Sequence, residues 1–243
     1  MKKLLFFILI FTFSTQAFSQ RFKGLRLTAQ AGYAVPFGDY AKAASEGDFL
    51  NRDAERGFDF NLSGEIFLTE RLGLIIRLGY ALHDLDEDQV RSYIENPDAF
   101  STRLSSSPFQ NLYAGGGFGL QLIRISDKID LQPYALVGLN IMRTATKDYS
   151  LFNEAGILTE SFESEASVTP GLVIIPGLNL NVRLANFLEL RLYAEVFGSN
   201  HQAESVINYY DGTLQIPTNE TETVDVDYQI RTINAGAALS FRF

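Results

Sequence analysis

Apolar and polar residues alternate with a period of two in eight segments of the chain. In the first segment Leu25, Leu27 and Ala29 share one face, whereas Arg26 and Thr28 share the other. Successive side chains of a β-strand point to opposite faces, so this period indicates strands and not helices. The eight predicted strands cover residues 25–35, 58–68, 72–82, 111–122, 130–141, 174–183, 188–196 and 233–243.

The connections between these strands alternate between short and long. Tight turns are predicted near residues 69–71, 126–128 and 185–186, and long polar loops at 38–56, 84–108, 147–167 and 199–227. An even number of strands, with short turns at one rim and long loops at the other, is typical of outer-membrane barrels. We therefore predict an all-β fold, a closed eight-stranded antiparallel up-and-down transmembrane β-barrel. In such barrels the loops are extracellular and both termini are periplasmic.

The nature of the two strand faces favours a membrane protein over a soluble one. In a soluble β-sandwich or a lipocalin-like barrel, the apolar face of each strand points into a core. Here the polar face carries charged residues on nearly every strand, and the apolar face is the more uniform of the two. The simplest interpretation is that the apolar face contacts lipid.

The N-terminus has the pattern of a secretory signal. Lys2 and Lys3 precede an apolar run at residues 4–11, and a small-x-small cleavage site follows at 17–19. We predict a cleaved signal peptide at residues 1–19 and the outer-membrane β-barrel domain at 20–243. The alternative is an N-terminal membrane anchor, but a spanning helix needs about 20 apolar residues and Ser14 interrupts this run.

Two short stretches resemble a known family. Residues 32–40, with the sequence GYAVPFGDY, resemble the first-strand motif of the small outer-membrane β-barrels common in Bacteroidota, which are OmpA- or OmpX-like. Their superfamily includes secretion-associated PorT-type barrels, whose characteristic first strand is not found here. The C-terminal residues Leu239, Phe241 and Phe243 resemble the signal that barrel-assembly machinery reads. The resemblance implies an outer-membrane location, with that machinery, outer-membrane lipids and lipopolysaccharide as partners.

Composition narrows the function. The chain has 20 Lys and Arg against 29 Asp and Glu, a net charge of −9, which argues against a nucleic-acid partner. It contains no cysteine, so disulfides, thiolate metal sites and cysteine nucleophiles are excluded. The four long loops carry formal charges of −2, −4, −4 and −6. These loops either simply stay hydrated or bind a basic or cation-bridged partner at the cell surface.

Charged residues on the inward face are balanced in sign. The interior of an eight-stranded barrel is just wide enough for side chains to fill, and an unpaired buried charge costs on the order of several kcal/mol. Equal numbers of acidic and basic residues therefore predict a salt-bridged plug, whereas a charge-selective pore would carry one sign in excess. The predicted network consists of Arg26, Asp59, Glu65, Arg77, Asp130, Arg183, Glu189, Arg191, Glu195 and Arg242.

We predict a structural or interaction protein, with an envelope protein complex as a further partner. One alternative is a narrow transport or ligand-binding barrel for a small amphipathic molecule. It is motivated by inward apolar residues that could line a pocket, namely Ile75, Leu136, Met142, Ile175 and Phe197.

A lipid-modifying enzyme is a weaker alternative. It would need a histidine base, and the chain has His83, next to Asp84, and His201, near Ser199 and Glu204. No spacing identifies a nucleophile, so we predict no enzyme and no cofactor. The acidic run at 84–88 could bind a divalent cation, but it lacks the glycine and the distal glutamate of a calcium loop. We expect a solvated loop there and no metal site.

Overall fold

The computed structural model of the protein describes residues 24–41, 54–94, 101–212 and 218–243. The signal peptide predicted at 1–19 lies outside these residues. The described strands are β1 (Leu25–Pro36), β2 (Ala54–Phe67), β3 (Leu72–Leu85), β4 (Ser101–Ser106), β5 (Phe109–Leu120), β6 (Ile123–Ser126), β7 (Ile129–Arg143), β8 (Lys147–Phe152), β9 (Leu158–Ser164), β10 (Val168–Arg183), β11 (Leu188–Asp211) and β12 (Thr218–Arg242). A short 3-10 helix covers Gly38–Tyr40 and an α-helix, α1, covers Glu87–Ile94.

Eight of these strands close into a ring. The order is β1, β2, β3, β5, β7, β10, β11 and β12, every neighbour is antiparallel, and β12 pairs again with β1. At mid-strand, for example, Ala31 of β1 lies opposite Ala237 of β12 on one side and Phe60 of β2 on the other. The predicted fold class is therefore confirmed, and each of the eight predicted strands corresponds to one strand of the ring.

The period of two places apolar side chains outside and polar ones inside. Leu62, Ile76 and Leu172 are 63%, 63% and 68% exposed on the outer wall, whereas Arg26 and Asp59 are fully buried in the lumen. Among the described residues, no helix has the length and apolar character that a membrane crossing requires. The uniform apolar wall instead belongs to the strands.

β11 and β12 continue far beyond the barrel, and the prediction of a long polar loop at 199–227 is wrong. The strands have 24 and 25 residues and stay paired up to Asp211 and Thr218, although about 10 residues suffice to cross a membrane. The alternation of Val224, Val226 and Tyr228 with acidic residues continues the strand pattern. It was missed because the acidic residues make the segment look like a solvated loop.

Two more predicted loops contain regular structure. β8 and β9 lie within 147–167, and α1 and β4 lie within 84–108. β9 pairs with β11 at Ile207–Asp211, β8 pairs with β9, and β4 pairs with β8. We call this assembly the outer sheet: β4, β8, β9 and the parts of β11 and β12 beyond Asn200 and Gln229. It was missed because its strands carry no uniform apolar stripe in the sequence.

The seam between β10 and β11 is interrupted within its length. Its ladder runs from Arg183 and Glu189 to Gly177 and Glu195, resumes at Ile174 and Gly198, and stops at Leu172 and Asn200. Pro176 lies in the interruption and cannot donate a backbone hydrogen bond. Beyond Asn200 the two strands diverge, since β10 stays paired with β7 while β11 goes on to β9.

Candidate functional site

Buried side chains lie along the lumen in successive layers, the first of which lies near the short-turn rim. Arg26 bridges two carboxylates, with Nη1 2.8 Å from Glu65 Oε2 and Nη2 2.8 Å from Glu189 Oε2. Arg191 Nη2 lies 3.5 Å from the same Glu65 oxygen, and Gln132 donates to the other one. All five side chains are nearly or fully buried. The layer thereby joins β1 and β2 to β7 and β11 across the barrel.

The remaining predicted charges of this end surround that layer. Arg242 Nη1 lies 3.6 Å and Arg183 Nε 3.9 Å from Glu189 Oε1. Asp130 accepts a 2.7 Å hydrogen bond from Asn181 Nδ2, and Asn181 Oδ1 accepts one of 2.7 Å from Arg191 Nε. Asp130 is thus linked to the arginines through an amide.

A second charged layer lies at the middle of the barrel. Arg77 Nη1 is 2.6 Å from Glu195 Oε2, and the Arg77 guanidinium lies over the Tyr134 ring at 5.1 Å. Glu195 also accepts hydrogen bonds from the Tyr134 hydroxyl and from Asn234 Nδ2, the latter at 3.3 Å. This carboxylate therefore has both a cationic partner and neutral donors.

Asp59 is held differently from the other acidic residue of the middle layer. It accepts hydrogen bonds of 2.7 Å from the Tyr113 hydroxyl and 2.9 Å from Asn61 Nδ2. The structure thus brings eight of the ten predicted network residues into ion pairs, while Asp59 and Asp130 are held by neutral side chains. Those eight are Arg26, Glu65, Arg77, Arg183, Glu189, Arg191, Glu195 and Arg242.

The apolar inward residues pack together, most of them on the long-loop side of the charged layers, while Ile75 lies opposite Glu65 at the level of the first layer. The rings of Tyr113 and Phe197 meet edge to face with centroids 5.1 Å apart. All members of the set proposed to line a pocket are buried within one hydrophobic cluster: Ile75, Leu136, Met142, Ile175 and Phe197. In the structure these side chains contact one another and the rest of the cluster.

Tyr40 closes the long-loop end of this apolar layer. Gly38 has a φ of +68°, a conformation that glycine adopts readily, and the chain turns there from β1 into the short 3-10 helix. Tyr40 is 1% exposed and packs edge-on against His83 at 5.5 Å and Phe109 at 5.4 Å. The residue lies in the family-like stretch 32–40, but nothing in the sequence indicated that it folds into the barrel.

The two histidines face inward and not toward the acidic loops. His83 packs beneath Tyr40, while the neighbouring Asp84 is exposed on the opposite face. His201 Nδ1 lies 3.1 Å from the Thr169 carbonyl, so it carries the proton and donates. Nε2 lies 2.8 Å from Ser199 Oγ and 3.0 Å from Asn140 Nδ2. His201 thus ties β11 to β10 and β7.

The acidic run at 84–88 ends one element and begins the next. Asp84 belongs to β3, whereas Glu87 and Asp88 form the first turn of α1, where negative charge favours a helix. Glu87 Oε1 also accepts a 2.9 Å hydrogen bond from Ser106. Among the described residues no three histidine, aspartate or glutamate side chains are grouped so that they could share a metal ion.

The large polar partners of the network were the main omission of the sequence reasoning. The predicted network did not include Tyr113 and Tyr134, whose hydroxyls donate to Asp59 and Glu195. A glycine on the neighbouring strand could have indicated the position of each tyrosine ring. A Cβ at Gly79 would lie 2.1 Å from Tyr113 Cζ, and a Cβ at Gly177 would lie 2.4 Å from Tyr134 Cζ. Each of these glycines leaves the space that a tyrosine ring occupies.

The residues of the proposed assembly signal all lie on the outer wall at the C-terminal end of the chain. Leu239, Phe241 and Phe243 are 49%, 44% and 73% exposed. They belong to the apolar band and contribute nothing to the lumen.

Several solved structures are similar to this chain. Neisserial surface protein A shares 15% identity with a TM-score of 0.40, covering 90% of this chain and 97% of its own. A major outer membrane protein from Thermus thermophilus shares 14%, with a TM-score of 0.49 and coverages of 90% and 99%. OprG from Pseudomonas aeruginosa shares 14%, with a TM-score of 0.46 and coverages of 90% and 95%. No curated protein matches the chain.

The family assignment comes from the sequence as a whole. The model of the outer membrane protein β-barrel domain matches residues 5–243, which is nearly the entire chain. That extent agrees with the closed ring and its apolar outer wall. The chain belongs to the outer membrane protein β-barrel domain family and is an integral protein of the outer membrane.

Proposed function

We propose that the protein is a structural or interaction protein whose closed barrel holds the acidic outer sheet at the cell surface, as an accessory subunit of an envelope complex. The observation that supports the proposal is the series of buried side chains along the lumen. Ion pairs occupy the short-turn end and the middle, the apolar cluster extends from Ile75, opposite Glu65, to the long-loop end, and Tyr40 packs over that end. A barrel filled in this way is suited to anchoring and display.

Conductance in planar bilayers tests the closed lumen. We expect the wild-type barrel to show no steady single-channel steps. A variant with Arg77, Tyr113, Glu195 and Phe197 all changed to alanine is expected to conduct more often, because it loses the side chains that meet at the centre. A lipid-facing Phe60→Ala variant is the matched control and should stay silent. Steady, well-defined steps from the wild type would overturn the proposal.

The proposed orientation places the short turns and both termini in the periplasm and the outer sheet outside the cell. This follows the usual arrangement of bacterial barrels. Because the chain has no cysteine, single cysteines can be introduced cleanly. An impermeant thiol reagent applied to whole cells should label Ser150→Cys in β8 and not Asp127→Cys in a short turn. Labelling of Asp127→Cys and not of Ser150→Cys would show that the orientation is the reverse of the one proposed.

The proposed partners are outer-membrane lipids and lipopolysaccharide, the barrel-assembly machinery and an envelope protein complex. The C-terminal Leu239, Phe241 and Phe243 would be read by the assembly machinery, as in the Bacteroidota-type barrels that this chain resembles. Extraction from native membranes in mild detergent, followed by size analysis, tests the complex. A stoichiometric assembly is expected, and a lone barrel would argue against an accessory role.

We assign the protein no catalytic reaction and no luminal ligand. The ring nitrogens of His201 are engaged within the barrel wall, and Ile175 and Phe197 are buried among other side chains. Unchanged lipid A in cells with and without the gene is the expected result. Altered acylation of lipid A would revive the enzyme hypothesis, and a co-purifying lipid that raises the melting temperature would revive the ligand-binding one.

A further inference from the structure

A pocket opens where the β10–β11 ladder stops, on the outer wall at the border of the apolar band. It has a volume of about 580 Å³, within the range of ligand pockets. β10 contributes Thr169 and Pro170, and three consecutive cross-strand pairs of β11 and β12 form the rest. These pairs are Asn200 with Gln229, His201 with Tyr228, and Gln202 with Asp227.

The wall of the pocket is held in place from inside the barrel. Thr169 Oγ1 donates to the Gln202 carbonyl at 2.6 Å, and His201 Nδ1 donates to the Thr169 carbonyl at 3.1 Å. These two bonds replace the missing ladder between β10 and β11. The pocket is therefore part of the folded wall and not a gap between unconnected strands.

The chemistry of the lining suits hydroxyl groups. Asn200, Gln202 and Gln229 are exposed primary amides, each of which both donates and accepts hydrogen bonds, as a sugar hydroxyl does. Asp227 adds an exposed carboxylate. The described lining contains no lysine or arginine for a phosphate, and its one carboxylate is too few for a divalent cation.

The position of the pocket relative to the membrane specifies the kind of saccharide. Val196 and Ile233 form the last outward apolar pair of β11 and β12. At about 3.3 Å per residue and a tilt of about 40°, Arg231 lies roughly 5 Å beyond that pair and Asn200 roughly 10 Å beyond it. The polar headgroup zone of a bilayer is about 5–8 Å thick on each side. Arg231 thus lies at headgroup depth on β12. On β10 the exposed apolar Leu172 lies directly opposite Asn200, so the amides lie where the apolar wall borders the headgroup zone.

β12 therefore carries, in order, three side chains that match the acyl chains, the anionic headgroup and the sugar of a glycolipid. Outward along β12 come apolar Ile233, cationic Arg231 and the amide of Gln229, and Arg231 Nη2 donates to Gln229 Oε1 at 3.2 Å. On the β10 side, Leu172 is 68% exposed directly opposite Asn200, so an apolar surface borders the amides. We infer that this pocket binds the headgroup-proximal sugars of a membrane-anchored, anionic glycolipid of the outer leaflet. The inference rests on the proposed orientation, with the outer sheet outside the cell, but not on whether the lumen conducts.

The test uses the folded barrel in phospholipid nanodiscs. The probe is purified lipooligosaccharide, and native mass spectrometry measures how much remains bound. The double variant Asn200→Ala/Gln229→Ala should bind about tenfold more weakly, as expected when two neutral hydrogen-bonding groups are lost. Gln202→Ala gives a second, independent reading. Thr223→Ala, which removes an exposed hydroxyl from β12 beyond the pocket, is the matched control and should bind like the wild type.

Two further arms identify the source of the sugar. Free core oligosaccharide without acyl chains should bind much more weakly than the intact glycolipid. If it bound equally well, the ligand would be a soluble saccharide and the membrane-anchored assignment would be wrong. Equal retention of lipooligosaccharide by the wild type and both pocket variants, all shown to be folded by heat-modifiable migration, would overturn the site itself.

Discussion

Arg77 and Glu195 are 118 residues apart in the sequence, yet their side chains meet at 2.6 Å in the middle of the barrel, where they are 1% and 0% exposed. Their strands are not neighbours, since β3 and β11 lie on different sides of the ring. The pair is therefore a strut across the lumen, and it forms only when the barrel has closed.

Removing the Arg77 side chain is expected to lower the free energy of unfolding substantially. Arg77→Ala leaves the Glu195 carboxylate buried without its cation, and such a loss typically destabilises by about 3–5 kcal/mol. Urea unfolding of the barrel in lipid vesicles measures the change. Arg77→Met/Glu195→Gln should lose less, because no uncompensated charge remains. Arg56→Ala, in an exposed pair with Glu55, is the control and should show no measurable change.

Gly79 should tolerate no side chain, because its missing Cβ leaves room for Tyr113. Gly79→Ala would force the Tyr113 ring from its contact with Phe197 and its hydroxyl from Asp59. We expect a loss of about 1–3 kcal/mol in the free energy of unfolding, as for other overpacked sites. Gly64→Ala on the outer wall, where a Cβ would lie 3.8 Å from Leu27, should leave stability unchanged. Equal stability of both variants would show that the lumen is loosely packed.

The outer sheet should respond to pH through Asp148. This residue lies directly opposite Glu163, and like charges at opposed positions destabilise a strand pair. Burial, together with Glu163, raises the pKa of Asp148 above its ordinary value, although the Ser164 amide acts in the other direction. A raised pKa means that the protonated form is favoured in the folded state, so its stabilisation is present at low pH and is lost as pH rises through that pKa.

The variant Asp148→Asn should therefore protect β8 and β9 from hydrogen exchange better than the wild type at pH 7. Below about pH 4 the two proteins should become alike, because the wild-type carboxyl is then protonated as well. A difference that stays constant across this range would mean that hydrogen bonding, and not charge, distinguishes the side chains.

The barrel should fold without the distal part of its longest hairpin. Replacing residues 208–221 by a two-residue turn removes most of the segment that pairs with β9, but leaves every β11 and β12 contact within the ring. We expect normal heat-modifiable migration and unchanged protection of the barrel strands. β8 and β9 should exchange faster, because they lose their attachment to β11. A truncated chain that no longer folds would show that the distal part of the hairpin is needed for barrel assembly.

The sequence predicts the barrel well because lipid imposes a strict rule on it. Every outward position of β1, from Leu25 to Val35, must be apolar or small, so the period of two is unbroken. The outer sheet has no such rule. In β12 the outward residues Asp225 and Asp227 look like loop residues, although Val224 and Val226 beside them keep the period of a strand.

The sequence predicted that ion pairs form in the lumen, but it did not predict which residues pair with each other. Equal charges in a narrow space indicated ion pairs, and the burial of Arg26 and Glu195 follows from the strand faces. Arg26 and Glu65 lie opposite each other on neighbouring strands, but Arg77 meets Glu195 across the ring, and a single sequence does not show how distant strands face each other. The burial of Tyr40 was not predicted for a related reason, because it depends on the direction in which the chain leaves β1.

The long hairpin of β11 and β12 also has a mechanical consequence. Its register runs from Asp211 and Thr218 down to Leu188 and Phe241 without a single shift, so the hairpin has no hinge along its length. A force applied at Tyr209 would be transmitted along the continuous hydrogen-bond ladder of β11 and β12 into the barrel. Glu195 and Glu189 lie on the same hairpin, so a force on the outer sheet would strain their ion pairs with Arg77 and Arg26.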